Sequence, residues 1–308
     1  MRGYKIFAGT SSIDFAKEIC QILDTPLAKA ETKRFSDGEI SVQIAESVRG
    51  RDVFIVQSTG VPSNDNLMEL LIMTDALRRS SASSITAVVP YYGYARQDRK
   101  AAPRVPITAR LVADMYETAG IDRVVTMDLH AGQIQGFFSI PVDNLYGSIT
   151  FEQYIKSKNL KNPIIASPDI GGVARARYFA KRMGLEMVIV DKRREKANES
   201  EVMNIIGNVD GYDVIMIDDM VDTAGTMVKA ATALKNKGAT SVMACATHAV
   251  LSGNAYENLE HGELDELIVT NTLESTPHKK IKVLTVAPLF AEVIRRVFHN
   301  ESVNGLFA

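Results

Sequence analysis

Cysteine is scarce in this chain: only Cys20 and Cys245 occur in 308 residues. They lie far apart in apolar surroundings and form neither a metal-ligand spacing nor a disulfide framework. Both are expected to be core thiols of a protein kept in a reducing compartment. An excess of one charge is also missing. The 35 basic and 37 acidic residues leave a formal net charge of −2, whereas a general polyanion binder is clearly basic. No nucleic-acid partner is expected. No apolar run approaches the roughly 18 residues of a membrane span, and the run in the N-terminal MRGYKIFAGTSS is too short for a signal peptide. The expectation is a soluble, cytoplasmic protein without a membrane partner. No linker or low-complexity segment breaks the chain.

What is present is a hydrophobic content of 46%, enough for more than one core and about two domains at this length. Continuous apolar, β-rich runs recur: VFIVQS (53–58), ITAVVP (85–90), RVVTMD (123–128), PIIAS (163–167), EMVIV (186–190), DVIMID (213–218), SVMACAT (241–247) and ELIVT (266–270). Such runs suit strands covered on both faces. Helical patterns lie between several of them, at Asn66–Arg79, Ile107–Ala119, Gly172–Met183 and Thr226–Lys237. This alternation predicts an α/β fold with mostly parallel sheets. The halves echo each other: Asp52-Val53 matches Asp213-Val214 and Ala76-Leu77 matches Ala233-Leu234, with a slip of four residues between the two matches. A degenerate repeat of this kind predicts two related domains. The boundary is placed near 143–148, giving domains 1–145 and 146–287. The last helical pattern, Pro288–Phe298 within 288–308, could pack on either.

The stretch VIMIDDMVDTAGT (214–226) runs from a strand through a turn of small residues into a helix starting near Thr226. Ala224 and Gly225 let backbone N–H groups approach an anion, the helix N-terminus adds partial positive charge, and Thr223 and Thr226 add hydroxyl donors. No GxxxxGK[ST] loop occurs. Asp218, Asp219 and Asp222 beside this cradle suit a sugar phosphate, since carboxylates accept hydrogen bonds from vicinal hydroxyls or contact Mg²⁺. SPDIGGV (167–173) puts Asp169 at a strand's carboxyl end and opens a helix with Gly171 and Gly172, as close approach to a diphosphate requires. His130 closes MDLH (127–130). It is either a structural histidine or, with Asp169, a Mg²⁺ ligand, although Mg²⁺ prefers oxygen. YYGYARQDRK (91–100) carries forked donors for a polyphosphate, or a solvated charge run. RFSDGE (34–39) reads as a β-turn in which Phe35 could stack a base beside two acids. DKRREKANE (191–199) reads as a loop that begins directly after the EMVIV strand, either solvated or a cationic lid over a transferring phosphoryl group.

The 214–226 stretch resembles the phosphoribosyl-diphosphate motif of type I phosphoribosyltransferases. FSDGE, RQDRK, MDLH, SPDIGG, DKRR and DDMVDTAGT together resemble the class I ribose-phosphate diphosphokinases, also called phosphoribosyl-diphosphate synthetases, in order and over the whole chain. That resemblance implies two phosphoribosyltransferase-like domains, each a mostly parallel sheet flanked by helices. It implies that Phe35, Asp37, Gly38 and Glu39 meet the adenine of ATP and that Arg96 and Gln97 contact the nucleotide. It makes His130 and Asp169 Mg²⁺ ligands, and Asp169, Gly171 and Gly172 a diphosphate loop. Lys192 and Arg194 become catalytic lid residues. Arg194, Asp218, Asp219, Asp222, Thr223, Ala224, Gly225 and Thr226 become the ribose 5-phosphate site. The reaction implied is Mg²⁺-dependent transfer of the diphosphoryl group of ATP to the 1-hydroxyl of ribose 5-phosphate. A homohexamer in which FSDGE reaches a neighbour's site is implied as well. One departure is visible. The resembled family carries a basic residue two positions after RQDRK, where this chain has Ala102, followed by Pro103 and Arg104. That weakens the expectation of strong ADP or phosphate regulation, although Arg49 and Arg104 are present. Two other readings stand beside this one. A phosphoribosyltransferase would leave RQDRK and the first domain without a task, and a catalytically silent paralogue would be expected to have a damaged lid.

Overall fold

The computed structural model describes residues 3–193 and 202–306. The chain divides into two units, one formed by residues up to Tyr146 together with those from Val286 onward, the other by Gly147–Thr285. The first unit contains β1 (Tyr4–Ala8), α1 (Ile13–Ile22), β2 (Ala30–Arg34), β3 (Ile40–Ile44), β4 (Asp52–Val56), α2 (Ser63–Arg79), β5 (Ser84–Val89), α3 (Thr108–Ala119), β6 (Arg123–Met127) and β7 (Val142–Leu145). Its main sheet has the order β1-β4-β5-β6-β7 and is parallel at every pairing. Strands β2 and β3 form a separate antiparallel hairpin.

The second unit contains α4 (Ser148–Ser157), β8 (Pro163–Ser167), α5 (Val173–Met183), β9 (Met187–Arg193), β10 (Val202–Ile206), β11 (Asp213–Val221), α6 (Gly225–Asn236), β12 (Ser241–Ala249), α7 (Ala255–His261), β13 (Glu266–Thr270) and β14 (Ile281–Leu284). Its sheet order is β10-β9-β8-β11-β12-β13-β14, parallel except for β10 on β9. The last helix, α8 (Ala287–His299), packs in the first unit, where Phe290 stands edge-on to Phe15 of α1 at 5.4 Å between ring centroids. Full burial of a phenylalanine such as Phe290 is worth about 1.5–3 kcal/mol.

The continuous apolar runs have a plain cause. Successive strand residues point to opposite faces, and both faces are covered. In β4, Val53 and Ile55 join Leu70 and Met73 of α2, while Phe54 and Val56 join α1 and α8. In β11, Val214 and Met216 join Met227 and Leu234 of α6, while Ile215 and Ile217 join Phe151 of α4 and Phe179 of α5.

The internal repeat extends to individual hydrogen bonds. Asp52 accepts from Ser84 Oγ at 2.7 Å, and Asp213 from Ser241 Oγ at 2.6 Å. Asp122 accepts from Ile85 N–H at 2.8 Å, and Asp265 from Val242 N–H at 2.7 Å. Ser81 and Gly238 both turn left-handed before the second strand, and their carbonyls accept from Gly50 and Gly211 at 2.8 and 2.9 Å. The slip of four in the repeat is a net difference: β11 is four residues longer than β4, but its connection to the helix is three residues shorter, and Ala233 comes five residues earlier along α6 than Ala76 does along α2.

Two strands run on past their apolar stretches. The EMVIV run continues through Asp191 to Arg193, so the expected loop does not begin at Asp191; Lys192 and Arg193 pair with Met203 and Val202. The DVIMID run continues to Val221, pairing Met220 with His248 and Val221 with Ala249. Backbone ladders carry polar residues where a partner strand is available, which hydropathy alone does not register. Six short strands, β1, β2, β3, β7, β10 and β14, have four or five residues each and were not singled out by the apolar pattern. Among the described residues, no helix is long and apolar enough to cross a membrane.

Candidate active site

In the second unit, β11 delivers its acids to a short turn that opens α6. Ala224 is buried and left-handed at φ 59°, a conformation that costs a non-glycine residue free energy. It turns the chain so that the first amides of α6 begin at Gly225, with no side-chain cap among the described residues. Those amides and the helix dipole offer donors and partial positive charge to an anion. The turn is held from outside. Asn258 donates to Thr223 O at 2.8 Å, Ser252 N–H to Asp222 O at 3.1 Å, and Ser252 Oγ to the Asp222 carboxylate. Thr223 and Thr226 are exposed, so their hydroxyls are available to a phosphate.

Asp218 and Asp219 share one cation. Arg175 Nη1, on the first turn of α5, lies 3.1 Å from Asp218 Oδ1 and 3.0 Å from Asp219 Oδ1. Asp219 N–H also donates to Asp218 Oδ1 at 2.8 Å. The Asp218 carboxyl is held above the ordinary carboxylate range, first by burial and then by the Asp219 charge, with Arg175 pulling the other way. A pair so placed has acceptor oxygens for adjacent hydroxyls.

The loop before α5 is tightly wound. Ser167 Oγ donates to Asp169 O at 2.6 Å, and Asp169 Oδ1 accepts from Gly172 N–H at 2.8 Å. A Cβ on Gly172 would stand 3.1 Å from Ser167 Oγ, and one on Gly171 3.3 Å from Asp169 Oδ1, so the glycines allow the close approach. The backbone of Lys192 lies in β9; its side chain and the whole of Arg194 lie outside the described residues.

In the first unit, Phe35–Glu39 form the tip of the β2–β3 hairpin. Phe35 N–H donates to Glu39 O at 2.9 Å, Gly38 N–H to Phe35 O at 3.0 Å, and Glu39 N–H to Asp37 Oδ1 at 3.1 Å. Gly38 sits at φ 97°. The segment is therefore a turn, and the Phe35 ring is 59% exposed, open to stacking as well. In the loop after β5, Arg96, Gln97, Arg99 and Lys100 are exposed. Gln97 Oε1 accepts from Thr108 Oγ1 at 2.5 Å, and Gln97 O from Ala109 N–H at 3.2 Å, so this residue also holds the start of α3. Asp98 is buried and accepts from Gln133 Nε2 at 3.0 Å. His130 is exposed just after the turn in which Leu129 N–H donates to Asn144 Oδ1 at 3.1 Å. At the root of the RQDRK loop, a Cβ on Gly93 would stand 2.3 Å from the Thr59 carbonyl oxygen. That contact is with backbone, which yields little. Gly93→Ala is expected to destabilise the protein by about 1–3 kcal/mol, read as a lower denaturant midpoint.

Residues 4–120 match the N-terminal domain of ribose phosphate pyrophosphokinase, and residues 192–308 the phosphoribosyl synthetase-associated domain. A ribose-phosphate pyrophosphokinase of Wolinella succinogenes is 72% identical over 308 residues, covering 100% of both chains. The chain belongs to the ribose-phosphate pyrophosphokinase family. It is accordingly an enzyme. A ribose-phosphate pyrophosphokinase of Campylobacter jejuni is 71% identical over 310 residues, again covering 100% of both chains. The crystal structure of phosphoribosylpyrophosphate synthetase from Mycobacterium smegmatis is 42% identical, with a TM-score of 0.93 over 97% of this chain and 100% of that one. The expected α/β architecture of two phosphoribosyltransferase-type domains is the fold of this family member.

The sequence reading did not single out Arg175, Ser252 or Asn258. Arg175 left a faint signal, three residues after the Gly pair and on the first turn of a helix. Ser252 and Asn258 left none, because their contacts depend on the loop after β12 and on α7 folding against the turn.

Proposed function

We propose that this pyrophosphokinase-family enzyme transfers the diphosphoryl group of ATP to the 1-hydroxyl of ribose 5-phosphate, giving 5-phosphoribosyl 1-diphosphate and AMP for nucleotide biosynthesis. The observation that carries this reading is the β11–α6 turn: uncapped helix amides and two exposed threonine hydroxyls beside an acid pair clasped by Arg175. Amides and hydroxyls suit the 5-phosphate, and Asp218, Asp219 and Asp222 suit the ribose hydroxyls. The 1-hydroxyl oxygen then bonds to the β-phosphorus as the bond to the α–β bridging oxygen breaks. AMP leaves with that oxygen, and the hydroxyl proton is released. Such chemistry asks the protein mainly for positioning and charge stabilisation. Lys192 and Arg194 are assigned to the charge on the transferring group, Asp169, Gly171 and Gly172 to the diphosphate, and Phe35, Asp37, Gly38, Glu39, Arg96 and Gln97 to ATP.

For Mg²⁺, the carboxylate of Asp169 is a fitting donor and the imidazole of His130 a less typical one. Among the described residues no three His, Cys, Asp or Glu side chains form a metal cluster, so phosphate and water would supply most ligands, as is usual for this ion. Bound there, Mg²⁺ would offset charge on the phosphate oxygens. A cytoplasmic homohexamer sharing its adenine site between subunits, with ADP or phosphate regulation weakened at Ala102, completes the proposal.

The test supplies ATP, ribose 5-phosphate and Mg²⁺ and follows AMP. AMP formed only when the sugar phosphate is present is the expected result. Pyrophosphate released from a phosphoribosyl donor plus a base would indicate a transferase instead. Nucleotide binding without AMP would indicate a silent paralogue.

A further inference from the structure

Glu69 is a carboxylate that the proposed chemistry leaves without a role. It lies on α2 and is 3% exposed. Its Oε1 accepts from Thr10 N–H at 3.0 Å and Thr32 Oγ1 at 2.9 Å. Its Oε2 accepts from Thr10 Oγ1 at 2.5 Å and Gln57 Nε2 at 3.1 Å. One buried side chain thereby joins the loop after β1, strand β2, the end of β4 and α2.

The network fixes its own polarity. Gln57 Oε1 accepts from Ser11 N–H at 3.2 Å and Ser11 Oγ at 2.7 Å, while its Nε2 donates to Asn66 O at 3.3 Å and to Glu69. Flipping that amide would set its NH₂ against the Ser11 N–H. Each oxygen of Glu69 therefore faces a group that can only donate, Thr10 N–H on one side and Gln57 Nε2 on the other. A carboxylate satisfies both; a glutamine amide in either orientation leaves one donor facing a donor, which is costly when buried.

Thr32 is the hairpin's arm of this network. The β2–β3 hairpin is not laddered to the main sheet, and a lone two-stranded hairpin is marginal in water. Its placement rests on contacts with the body: Val42 and Ile44 against the core, Lys5 on Glu46 near the base, Arg34 on Asp65 at 2.9 Å near the tip, and Thr32 on Glu69 between them. The tip begins three residues after Thr32, about 10 Å along an extended strand, so a shift at Thr32 is carried to Phe35.

We propose that Glu69 is a positioning residue for nucleotide binding, setting the placement of the 35–39 turn through Thr32. The inference rests on the reading above that this turn receives the adenine of ATP. The decisive variant is Thr32→Val, which keeps the strand and removes only the hairpin's hydroxyl. ATP affinity of the full chain is measured by calorimetry with Mg²⁺, and KM for each substrate by AMP release. Thr32→Val is expected to weaken ATP binding and raise KM for ATP about three- to tenfold, with kcat and KM for ribose 5-phosphate within about twofold. Thr32→Ser should restore wild-type values. Glu69→Gln should act in the same direction and more strongly; if it fails to fold, the two Thr32 variants still decide. Wild-type ATP affinity in Thr32→Val, or equal loss for both substrates, overturns the proposal. Should the wild-type chain bind ATP yet form no AMP, the proposed reaction fails, while the calorimetric affinities still decide the role of Glu69.

Discussion

Replacing Lys192 by alanine is expected to lower kcat by about 10²–10⁴, the usual cost of removing a principal electrostatic contact to a transition state. As the diphosphoryl group passes between oxygens, negative charge shifts on its equatorial oxygens and on the departing AMP. A lysine ammonium brought to that charge counts for more there than against the ground state, so the loss appears in kcat rather than in KM. The backbone argues that the effect would be local. Lys192 lies within β9, opposite Met203 of β10, and those ladder bonds are made by main-chain atoms that alanine retains. Thermal midpoint should therefore stay within about 1–2 °C of wild type, since the substitution leaves those backbone bonds in place. KM for ribose 5-phosphate should stay within a few fold. Lys192→Arg, which keeps the charge but alters its shape and reach, should recover part of the rate. Initial rates of AMP formation over a range of ribose 5-phosphate concentrations give kcat and KM for each enzyme, and scanning calorimetry gives the midpoint. A Lys192→Ala enzyme turning over at near wild-type rate would remove Lys192 from the catalytic set.

The hairpin of β9 and β10 also shows where sequence reasoning stops. EMVIV reads as a strand because Val188 and Val190 enter the core. Asp191, Lys192 and Arg193 read as a loop because their strand character comes from β10, a partner invisible to local hydropathy. The central strands β4 and β11 were legible for the opposite reason: both faces are buried, so burial is written into every residue. The β11–α6 turn was legible because Asp218 through Thr226 are contiguous, and contiguity is what a motif records. Arg175 was not, since its task exists only once α5 lies against the end of β11. Glu69 was hidden in another way. In NDNLMELLIM it is one polar residue in an amphipathic helix, and only the fold places it on the buried side, opposite Thr10, Thr32 and Gln57. Contiguous chemistry can be read from the chain; chemistry assembled across elements requires their packing.

Asp218→Asn is expected to stabilise the protein at alkaline pH while lowering kcat/KM for ribose 5-phosphate by about 10–100-fold. At pH 9, above the value of about 8 to which the folded Asp218 carboxyl is raised, the loss of activity follows from exchanging a carboxylate for a neutral amide where sugar hydroxyls donate, since hydrogen bonds to a charged acceptor contribute about 1.5–3 kcal/mol. The gain in stability follows from the acid pair. In the folded chain the Asp218 carboxyl is raised by burial and by Asp219, against the pull of Arg175. Below the unfolded pKa, near 4, both states hold the proton and Asp218 adds no pH dependence. As pH rises past that value, the unfolded chain loses the proton first while the folded chain retains it, so stability declines with rising pH. The decline ends above the raised folded pKa, where the charged pair is held at full cost. Asparagine avoids this cost yet keeps an Oδ1 able to accept from Asp219 N–H and Arg175, the two contacts at 2.8 and 3.1 Å, leaving Arg175 to pair with Asp219 alone. The variant's Tm should exceed that of wild type by about 2–4 °C at pH 8–9, with the difference shrinking toward zero near pH 4. Scanning calorimetry across that range reads the trend directly. A variant less stable than wild type at pH 9, or a gain that grows on acidification, would show that Arg175 fully compensates the pair and that Asp218 is an ordinary ionised partner. The expected sign instead makes Asp218 a residue retained at a cost to stability, which is the pattern of a group kept for its substrate.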